Sequence, residues 1–328
     1  MDEDIKKLND KAEAYAKDLQ KSIDELKKVI VGQDDVIEKL IIALIADGHI
    51  FLEGVPGLAK TLMIRTLADT LDAKFRRLQF TPDLLPADIL GTKIYNHQDG
   101  TFSTKKGPIF ANFILADEIN RAPPKVQSAL LESMQERQVT ISGDTFKLDA
   151  PFLVLATQNP LETEGTYRLP EAQVDRFMFK ILIDYPDKQE ETEIIQRMTK
   201  GREYKIDKIL SPAQILKIQK FNKTIYCDEK VVDYVVNIVD ATRFPKEHGL
   251  EIQKFIDYGA SPRASIWMII AAKAHALLQG RGYVLPEDIQ NVSYSVLRHR
   301  IILSFEAEAE DIDADKIIQM ILDKVKVP

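Results

Sequence analysis

The segment from His49 to Leu71 constrains the fold more than any other part of the sequence. It begins with a short apolar run, His49 to Leu52, which predicts a buried strand. A turn that contains two glycines follows, and the residues from Lys60 to Leu71 have helical periodicity. Glycines let backbone amides approach an anion, and a helix N-terminus adds unpaired donors. The sequence therefore predicts a phosphate-binding loop between a strand and a helix.

Lys60 and Thr61 supply the chemistry that such a loop needs. Lys60 is expected to neutralise the β- and γ-phosphates, and Thr61 to offer its hydroxyl to Mg²⁺. The predicted nucleotide-binding residues of the loop are Gly54, Val55, Pro56, Gly57, Leu58, Ala59, Lys60, Thr61 and Leu62. Ala59 stands where glycine is usual, and its methyl group is tolerable if Ala59 has helical dihedral angles. An ordinary strand-to-helix turn that contains Lys-Thr is the alternative interpretation.

Composition sets the class of protein. The chain has 328 residues, is 45% hydrophobic and 29% charged, and carries a net charge of −7, which is typical of a globular protein with room for two or three domains. The acidic total argues against a broad nucleic-acid or anionic-membrane surface. The single cysteine, Cys227, excludes a disulfide within the chain and a cysteine-based zinc site. With a polar N-terminus and no apolar run that could span a bilayer, we expect a cytoplasmic protein.

The segments around the loop predict further elements. Residues 1–28 have apolar side chains at alternating spacings of three and four, which predicts an amphipathic helix that packs on its own core or pairs with a partner. Asp34 or Asp35 is expected to cap the next helix, with Gly48 at its end. Between these helices, Ile30, Val31 and Gly32 are candidates for contacting the adenine ring, although plain core packing explains them equally well.

Two further apolar runs end in polar residues. Phe113 to Ala116 ends in Asp117 and Glu118, where the first acid could hold the hydration shell of Mg²⁺ and the second could polarise a water for attack on the γ-phosphate. Phe152 to Ala156 is followed by Asn159, which would lie beside the γ-phosphate. A turn-forming Asn-Pro pair is the alternative for Asn159.

The rest of the sequence predicts two hairpins, a fifth strand and a mainly helical C-terminal region. Hairpins are predicted within residues 91–104 and 139–148, the first around Asp99-Gly100. A fifth strand is expected at Phe179–Ile183, after which the pattern is helical almost throughout, with Ser211 and Ser261 as N-caps. The acidic segment from residue 306 to 315 is expected to be a solvated connector.

The order of these motifs resembles the AAA+ ATPases, and the inserted hairpins resemble their helix-2-insert branch. The sequences of five motifs resemble the MoxR family more closely. They are GVPGLAKT at Gly54, GPIFANFILADEINRAPPKVQSALLESMQE at Gly107, ATQNP at Ala156, LPEAQVDRF at Leu169 and GASPRA at Gly259. The resemblance runs from about residue 29 to 302, and Ala59 is usual within it. It implies an αβα core with a five-stranded parallel sheet and inserted β-hairpins, followed by an all-helical lid. The expected domains are 1–28 (N-terminal helix), 29–187 (core) and 188–328 (lid).

The resemblance also implies roles for single residues. Asp117 resembles the Mg²⁺-holding acid, Glu118 the catalytic glutamate and Asn159 the first sensor. Arg176 resembles the arginine finger that reaches into a neighbouring subunit, and Arg263 the second sensor, in its own subunit or across the interface. These roles imply Mg-ATP hydrolysis by a ring homo-oligomer, expected to be a hexamer. Such rings remodel or activate client proteins, often with a von Willebrand A-domain partner.

Other classes remain as alternatives. Lys93, Lys105, Lys106 and Lys147 near the hairpins could line a basic pore, as in a nucleic-acid motor, but the acidic total weighs against nucleic acid. A magnesium-chelatase-type motor subunit has a similar core. A nucleotide-gated scaffold without turnover is disfavoured because Lys60, Glu118 and Arg176 are all present.

Overall fold

The computed structural model describes residues 2–55, 57–98, 100–160, 165–199 and 204–328, and for residues 2–5 it describes the backbone alone. Two compact units emerge from the contacts within the chain. One unit comprises residues 21–176 and 181–216, and it contains the phosphate loop. The other comprises residues 1–20, 177–180 and 217–328. The boundaries expected after residues 28 and 187 stay a prediction.

The elements from the N-terminus to residue 199 alternate helices and strands. In chain order they are α1 Asp2–Val29, α2 Asp34–Ala46, β1 Ile50–Glu53, α3 Lys60–Thr70, β2 Phe75–Gln79, α4 Pro86–Leu90, β3 Gly91–Asn96, β4 Thr101–Lys106, β5 Phe113–Asp117, α5 Pro124–Glu136, β6 Gln138–Ile141, β7 Asp144–Lys147, β8 Leu153–Gln158, α6 Glu171–Val174, β9 Phe179–Leu182 and α7 Lys188–Thr199. The predicted strand–loop–helix at the phosphate loop is β1 and α3.

A five-stranded parallel sheet with the order β2-β5-β8-β1-β9 forms the centre of the first unit. Its inner strands are continuous apolar runs because both faces of a parallel sheet are covered by helices. In β5, the four residues Phe113–Ala116 are fully buried. The register pairs Ala116 of β5 with Ala156 of β8, and Ala156 with Phe51 of β1. The carboxyl ends of these strands therefore meet at one edge, and the predicted sheet is confirmed.

Both predicted hairpins are present outside that sheet. β3 and β4 pair antiparallel from Gly91–Lys106 to Asn96–Thr101, directly after the short helix α4. Asp99 of the predicted turn lies outside the described residues, whereas Gly100 has the left-handed φ of +66° that favours glycine. β6 and β7 pair antiparallel from Gln138–Lys147 to Ile141–Asp144. The helix before them ends at Glu136, because the next residue, Arg137, is left-handed.

The caps of α2 differ from the prediction. Gln33, not Asp34 or Asp35, occupies the N-cap with φ +58°, and its side chain makes no capping bond. The two aspartates instead lie in the first turn, where negative charge favours the helix dipole. Asp47, not Gly48, takes the left-handed conformation at the C-terminus, which aspartate tolerates better than most residues. At the C-terminus, an aspartate thus takes the conformation that was expected of Gly48.

Helix α1 buries its apolar stripe within the chain. Ala12, Leu19 and Leu26 are fully buried. Of the two alternatives for this helix, packing on the protein's own core is the one observed. No helix in the described part of the chain has both the length and the apolar character that crossing a bilayer requires.

The C-terminal part of the chain is mainly helical. Its elements are α8 Pro212–Asn222, α9 Glu229–Arg243, β10 Ile256–Tyr258, α10 Pro262–Leu278, α11 Pro286–Leu297, β11 Ile302–Leu303, α12 Phe305–Ala309 and α13 Ala314–Lys324. Ser261 caps α10 as predicted, since its hydroxyl accepts a hydrogen bond from the amide of Arg263 at 3.2 Å. Ser211 likewise accepts from the amide of Gln214 at 3.3 Å, before α8.

The predicted helical pattern holds for most of this region, with two departures. β10 and β11 form a short antiparallel pair that was not predicted, because strands of two or three residues carry no periodicity. The segment expected to be a solvated connector contains α12, which Ser304 caps at the amide of Ala307. Ala307 is fully buried and anchors this turn, while Glu306 and Glu308 lie near its N-terminus. The acidic composition of this segment gave no indication of the short, capped helix α12.

Asp288 organises the polar interior of this unit. Its fully buried carboxylate accepts hydrogen bonds from His275 at 2.5 Å, from Arg281 at 2.6 and 2.9 Å, and from the amide of Leu285 at 2.7 Å. Burial by itself raises the pKa of Asp288, but the bonds from His275, Arg281 and Leu285 outweigh it, so the net shift is downward. The carboxylate is therefore held in its charged form.

Candidate functional site

The loop between β1 and α3 is shaped by its glycines for two different reasons. At Gly54, a Cβ would lie 2.7 Å from the backbone oxygen of Ile183, so no larger residue fits. At Gly57, a Cβ would meet nothing within 4 Å, but φ is +89°, a conformation that only glycine adopts at low cost. Gly54 is thus required by the close approach of the Ile183 backbone, and Gly57 by its own backbone conformation. Pro56 lies outside the described residues.

Ala59 does not have the helical dihedral angles that the sequence argument required. It is the N-cap of α3 and is left-handed, with φ +54° and ψ +19°. A Cβ in this region costs about 1–2 kcal/mol. Glu118, at the end of β5, is left-handed as well, with φ +56°. Two non-glycine residues at this site are therefore in strained conformations, which is common where a fold holds a functional loop in place.

A cavity of about 420 Å³ lies over the N-terminus of α3 and the carboxyl ends of β5 and β8. Its walls combine the loop, the start of α3 and polar residues from three strand ends. They are Gly54, Gly57, Leu58, Ala59, Lys60, Thr61, Leu62, Arg77, Asp117, Glu118, Thr157 and Asn159. The sequence-predicted Lys60, Thr61, Asp117, Glu118 and Asn159 are thus brought together, whereas Val55 does not line the cavity.

Lys60 is the half-buried cation of this cavity. Its Nζ donates a hydrogen bond to the backbone oxygen of Gly54 at the start of the loop. Burial lowers the pKa of Lys60, while the nearby carboxylates of Asp117, Glu118 and Glu53 act in the opposite direction. An anion in the cavity would favour the charged ammonium further, so the site is built to accept negative charge.

Asp117 is held on both of its carboxylate oxygens. Oδ1 accepts a hydrogen bond from the hydroxyl of Thr157 on the neighbouring strand at 2.7 Å. Oδ2 accepts from Nε and Nη2 of Arg77 at 3.0 and 2.5 Å. Asp117 ends β5, and its side chain is 17% exposed. Its orientation toward the cavity is therefore set by residues on the strands to either side.

Glu118 is placed by backbone and side-chain contacts. Its amide donates to the Thr157 hydroxyl at 2.9 Å. Its carboxylate accepts from Nε2 of Gln79 at 2.9 Å and lies 3.3 Å from Nη1 of Arg121. Arg121 thus pairs with this acid within its own chain.

Arg77, Gln79 and Thr157 are site residues that were not predicted from the sequence. Arg77 and Gln79 are alternate residues of β2, which is parallel to β5 with Gln79 opposite Asp117. The signal that could have identified them is the alternation of polar residues along β2, the edge strand that pairs with the strand ending in Asp117. Thr157 lies in the motif ATQNP. In the sheet it pairs with Leu52 of β1, so it lies near the carboxyl end of β8 with the other site residues.

The remaining predicted residues have different positions. Asn159 is 6% exposed and lines the cavity just beyond β8. Arg176 does not line it. Its Nη1 donates to the backbone oxygen of Leu131 at 3.4 Å, and its buried Nε makes no hydrogen bond with the described residues. Arg263 belongs to the other compact unit, in the first turn of α10.

A second, mainly apolar cavity of about 340 Å³ adjoins the loop. It is lined by Val29, Ile30, Val31, Gln33, Gly57, Leu58, Ala59, Leu62, Tyr185, Pro186, Glu191, Ile194 and Met198. Ile30 and Val31, the adenine-ring candidates, are among them, but Gly32 is not. A Cβ at Gly32 would instead lie 2.2 Å from Oε1 of Glu190. Because Gly57, Leu58, Ala59 and Leu62 line both cavities, an elongated ligand could occupy both.

The few protein oxygen atoms in the cavity suit a metal ion that takes most of its ligands from phosphates and water. Within the described ranges, no group of three or more His, Cys, Asp or Glu residues could hold a metal ion. The cavity offers the hydroxyl of Thr61 and the carboxylates of Asp117 and Glu118, whereas the hydroxyl of Thr157 is already bonded to Asp117 and to the Glu118 amide. Mg²⁺ in phosphate-transfer sites is held by few protein oxygens, with phosphates and waters completing its shell. The residues present fit that pattern.

Comparisons with known proteins agree with this geometry. A model of the ATPase family associated with various cellular activities (AAA) matches residues 49–179, and a model of the AAA lid domain matches residues 250–321. A crystal structure of a candidate ATPase from Cytophaga hutchinsonii is 54% identical, with a TM-score of 0.93 over 99% of each chain. Chaperone MoxR1 of Mycobacterium tuberculosis is 50% identical over 94% of this chain and 82% of its own length. Protein MoxR of Methylorubrum extorquens is 30% identical over 93% of each chain.

The parallel sheet, the loop cavity and the AAA lid define a nucleotide-binding ATPase of the AAA+ class. Half of its residues are shared with a MoxR protein over nearly its whole length. The chain belongs to the MoxR family of AAA+ ATPases, which confirms the resemblance seen in its motifs.

Proposed function

We propose that this protein hydrolyses ATP, with Mg²⁺ as its metal ion, in the cavity over the phosphate loop. The observation that carries the proposal is the convergence in one cavity of a cation, two carboxylates and a strand-end amide from separate parts of the chain. Lys60 starts α3, Asp117 ends β5 with Glu118 directly after it, and Asn159 follows β8. Such a set serves phosphoryl transfer, in which positioning and charge neutralisation do most of the work.

Each residue has a role in this proposal. The loop amides and Lys60 bind the phosphates. Thr61 and Asp117 would hold the metal ion, which would neutralise phosphate charge when bound. Glu118 accepts a proton from the attacking water, in an orientation kept by Gln79 and Arg121. Asn159 orients that water as the first sensor. Ile30, Val31 and the apolar cavity around them receive the adenine ring, with Gly32 allowing the backbone to turn beside it.

The proposal extends to a ring of identical subunits. Arg176 does not line the cavity of its own chain, which agrees with a role as arginine finger for a neighbour. Such a finger contributes about 10³ to 10⁵ in rate, so efficient hydrolysis requires assembly, in our proposal as a hexamer. Arg263 acts as the second sensor, in its own subunit or across the interface.

The work of the ring is proposed to be the remodelling or activation of client proteins, with a von Willebrand A-domain protein as a partner. One relative carries the name chaperone. A nucleic-acid motor is less well supported, because Lys93 pairs with Asp144 at 2.9 Å and Lys106 lies 4.7 Å from the ring centre of Phe110. Those lysines are engaged within the chain. A cytoplasmic location stays a prediction from the single cysteine.

Nucleotide binding and phosphate release by three variants test the proposal. Lys60→Ala is expected to lose ATP binding, and Glu118→Gln to bind ATP while its turnover falls about 10²- to 10⁴-fold. Glu132→Gln, an exposed residue of α5, makes the same charge change outside the cavity and should leave both unchanged. Normal turnover by Glu118→Gln would remove that residue from the mechanism, and unaltered binding by Lys60→Ala would move the nucleotide elsewhere.

The Glu118→Gln variant also tests the assembly and its clients. With ATP it should form a stable ring, measurable by light scattering, and retain client proteins that are released when nucleotide is removed. Lys60→Ala is the matched control, because it should neither form that ATP-dependent ring nor retain a client. Retention that is equal in both variants would count against an ATP-driven remodeller.

A further inference from the structure

The phosphate-loop cavity contains a cation to which the proposed reaction assigns no role. Arg77 extends from β2, at the edge of the sheet, and lines the cavity together with Lys60. Its Nε and Nη2 lie 3.0 and 2.5 Å from the same atom, Oδ2 of Asp117. Two donors of one guanidinium thus converge on one oxygen of the carboxylate proposed to hold the metal ion.

The backbone register places this guanidinium. β2 runs parallel to β5 with Gln79 opposite Asp117, so Arg77 lies two residues earlier on the same face of the strand. Its Nη2 also donates to Oε1 of Gln79 at 2.8 Å. Gln79 in turn donates to Glu118 through Nε2. The side chain of Arg77 is therefore oriented by a neighbour as well as by Asp117, which distinguishes this contact from a loose surface ion pair.

Asp117 needs a counter-ion in this setting. Its side chain is 17% exposed, and a largely buried carboxylate without compensation is costly. Thr157 satisfies Oδ1, and Arg77 supplies the charge at Oδ2. A divalent cation near the same carboxylate would compete with the guanidinium for the lone pairs of Oδ2 and would repel its positive charge.

We propose that Arg77 is a positioning residue that neutralises Asp117 in the empty site and competes with Mg²⁺ for this carboxylate. The inference rests on the proposed role of Asp117 at the metal ion. The Arg77 side chain is 49% exposed, so it has open space into which it can turn when it leaves Asp117. Because the metal must displace a cation, it binds well only when phosphates bring additional negative charge. Arg77 thereby makes metal binding depend on the nucleotide.

Loss of this competition predicts a gain of metal affinity, which a merely structural residue would not produce. The probe is a fluorescent, non-hydrolysable ATP analogue bound to the full chain during titration with Mg²⁺ after removal of metal with EDTA. In Arg77→Gln, the half-saturating Mg²⁺ concentration should fall about three- to tenfold, as expected for loss of a partly exposed ion pair. Arg77→Met should do the same, because it also removes the charge.

Two matched variants serve as controls. Arg77→Lys keeps the positive charge and should remain near the wild-type midpoint. Arg76→Gln makes the same charge change one residue earlier on β2, where the side chain is exposed and does not line the cavity, and should also remain there. In EDTA, Arg77→Lys and Arg76→Gln should bind the analogue as the wild type does. An unchanged or raised Mg²⁺ midpoint in Arg77→Gln would overturn the inference, as would weaker binding in EDTA without a lower midpoint.

Asp117→Asn separates failure of this inference from failure of the proposed function. If Asp117→Asn raises the Mg²⁺ midpoint while Arg77→Gln does not lower it, the proposed metal site stands and the competition is wrong. If Asp117→Asn leaves the midpoint unchanged, Asp117 does not hold the metal ion and both proposals fail. A wild-type chain that does not bind the analogue would contradict the proposed function itself.

Discussion

The hydroxyl of Thr157 donates a 2.7 Å hydrogen bond to Oδ1 of Asp117 and accepts one of 2.9 Å from the amide of the next residue, Glu118. Thr157 is 1% exposed. One buried hydroxyl on β8 thus fixes both acids at the end of β5, so the geometry of the acidic pair depends on a residue from the neighbouring strand.

We therefore expect Thr157→Val to impair hydrolysis more than nucleotide binding. Valine has the same shape but leaves the Glu118 amide unpaired, which costs about 1–3 kcal/mol of unfolding free energy. Urea unfolding measures that loss, and phosphate release measures the activity. Thr157→Ser keeps the hydroxyl and should retain most of both. Equal turnover in the valine and serine variants would show that Thr157 does not position the acids.

Ala59→Gly should stabilise the protein. Ala59 is left-handed at the N-cap of α3, and removal of its methyl group relieves about 1 kcal/mol of backbone strain. Ala213→Gly, at an exposed helical position of α8, is the matched control and should instead lose up to about 1 kcal/mol. Urea unfolding of the two variants gives the comparison. A loss of stability in both would mean that Ala59 is not strained.

Asp288→Asn should destabilise the C-terminal unit by about 3–5 kcal/mol, because it leaves Arg281 without its buried counter-charge. Glu310→Gln removes one partner of the half-exposed Lys254 pair in the same unit and should cost no more than about 1 kcal/mol. Thermal or urea unfolding distinguishes them. Similar losses from both would show that the Asp288 cluster contributes no more than a surface pair.

The same carboxylate predicts the direction of a pH effect. Because the pKa of Asp288 is lower in the folded than in the unfolded state, its stabilisation is fully present above the ordinary aspartate range. It is lost as the pH falls through the folded-state pKa. Unfolding free energies measured from pH 7 to pH 3 should therefore fall more steeply in the wild type than in Asp288→Asn. Parallel pH profiles would contradict this.

The main elements could be predicted because local sequence determines them. Apolar runs predicted the strands, and Ser-Pro pairs predicted two helix starts. The glycine-containing loop identified Lys60, and the residues after two apolar runs identified Asp117 and Asn159. These signals lie within a few adjacent residues. The five-stranded parallel sheet was implied by the family resemblance, and the structure has it in the order β2-β5-β8-β1-β9.

What the sequence could not provide depends on contacts between distant segments. Arg77 meets Asp117 only because β2 pairs with β5 in one particular register. The β10–β11 pair joins residues 256–258 to residues 302–303, with too few residues in either strand to carry a pattern. Ala59 shows a third limit, since its left-handed conformation is imposed by the loop and not by its own preference. Tertiary structure overrides local propensity at these positions.

The central claim is that each site is completed by Arg176 of a neighbouring subunit, and mixing two inactive variants tests it most directly. Arg176→Ala and Glu118→Gln should each release phosphate slowly when alone, whereas Arg168→Ala, an exposed arginine nearby, should remain active. In a mixture of the first two, some interfaces combine Glu118 of one subunit with Arg176 of its neighbour. The account predicts that phosphate release rises above that of either variant alone, and no recovery at any mixing ratio would contradict it.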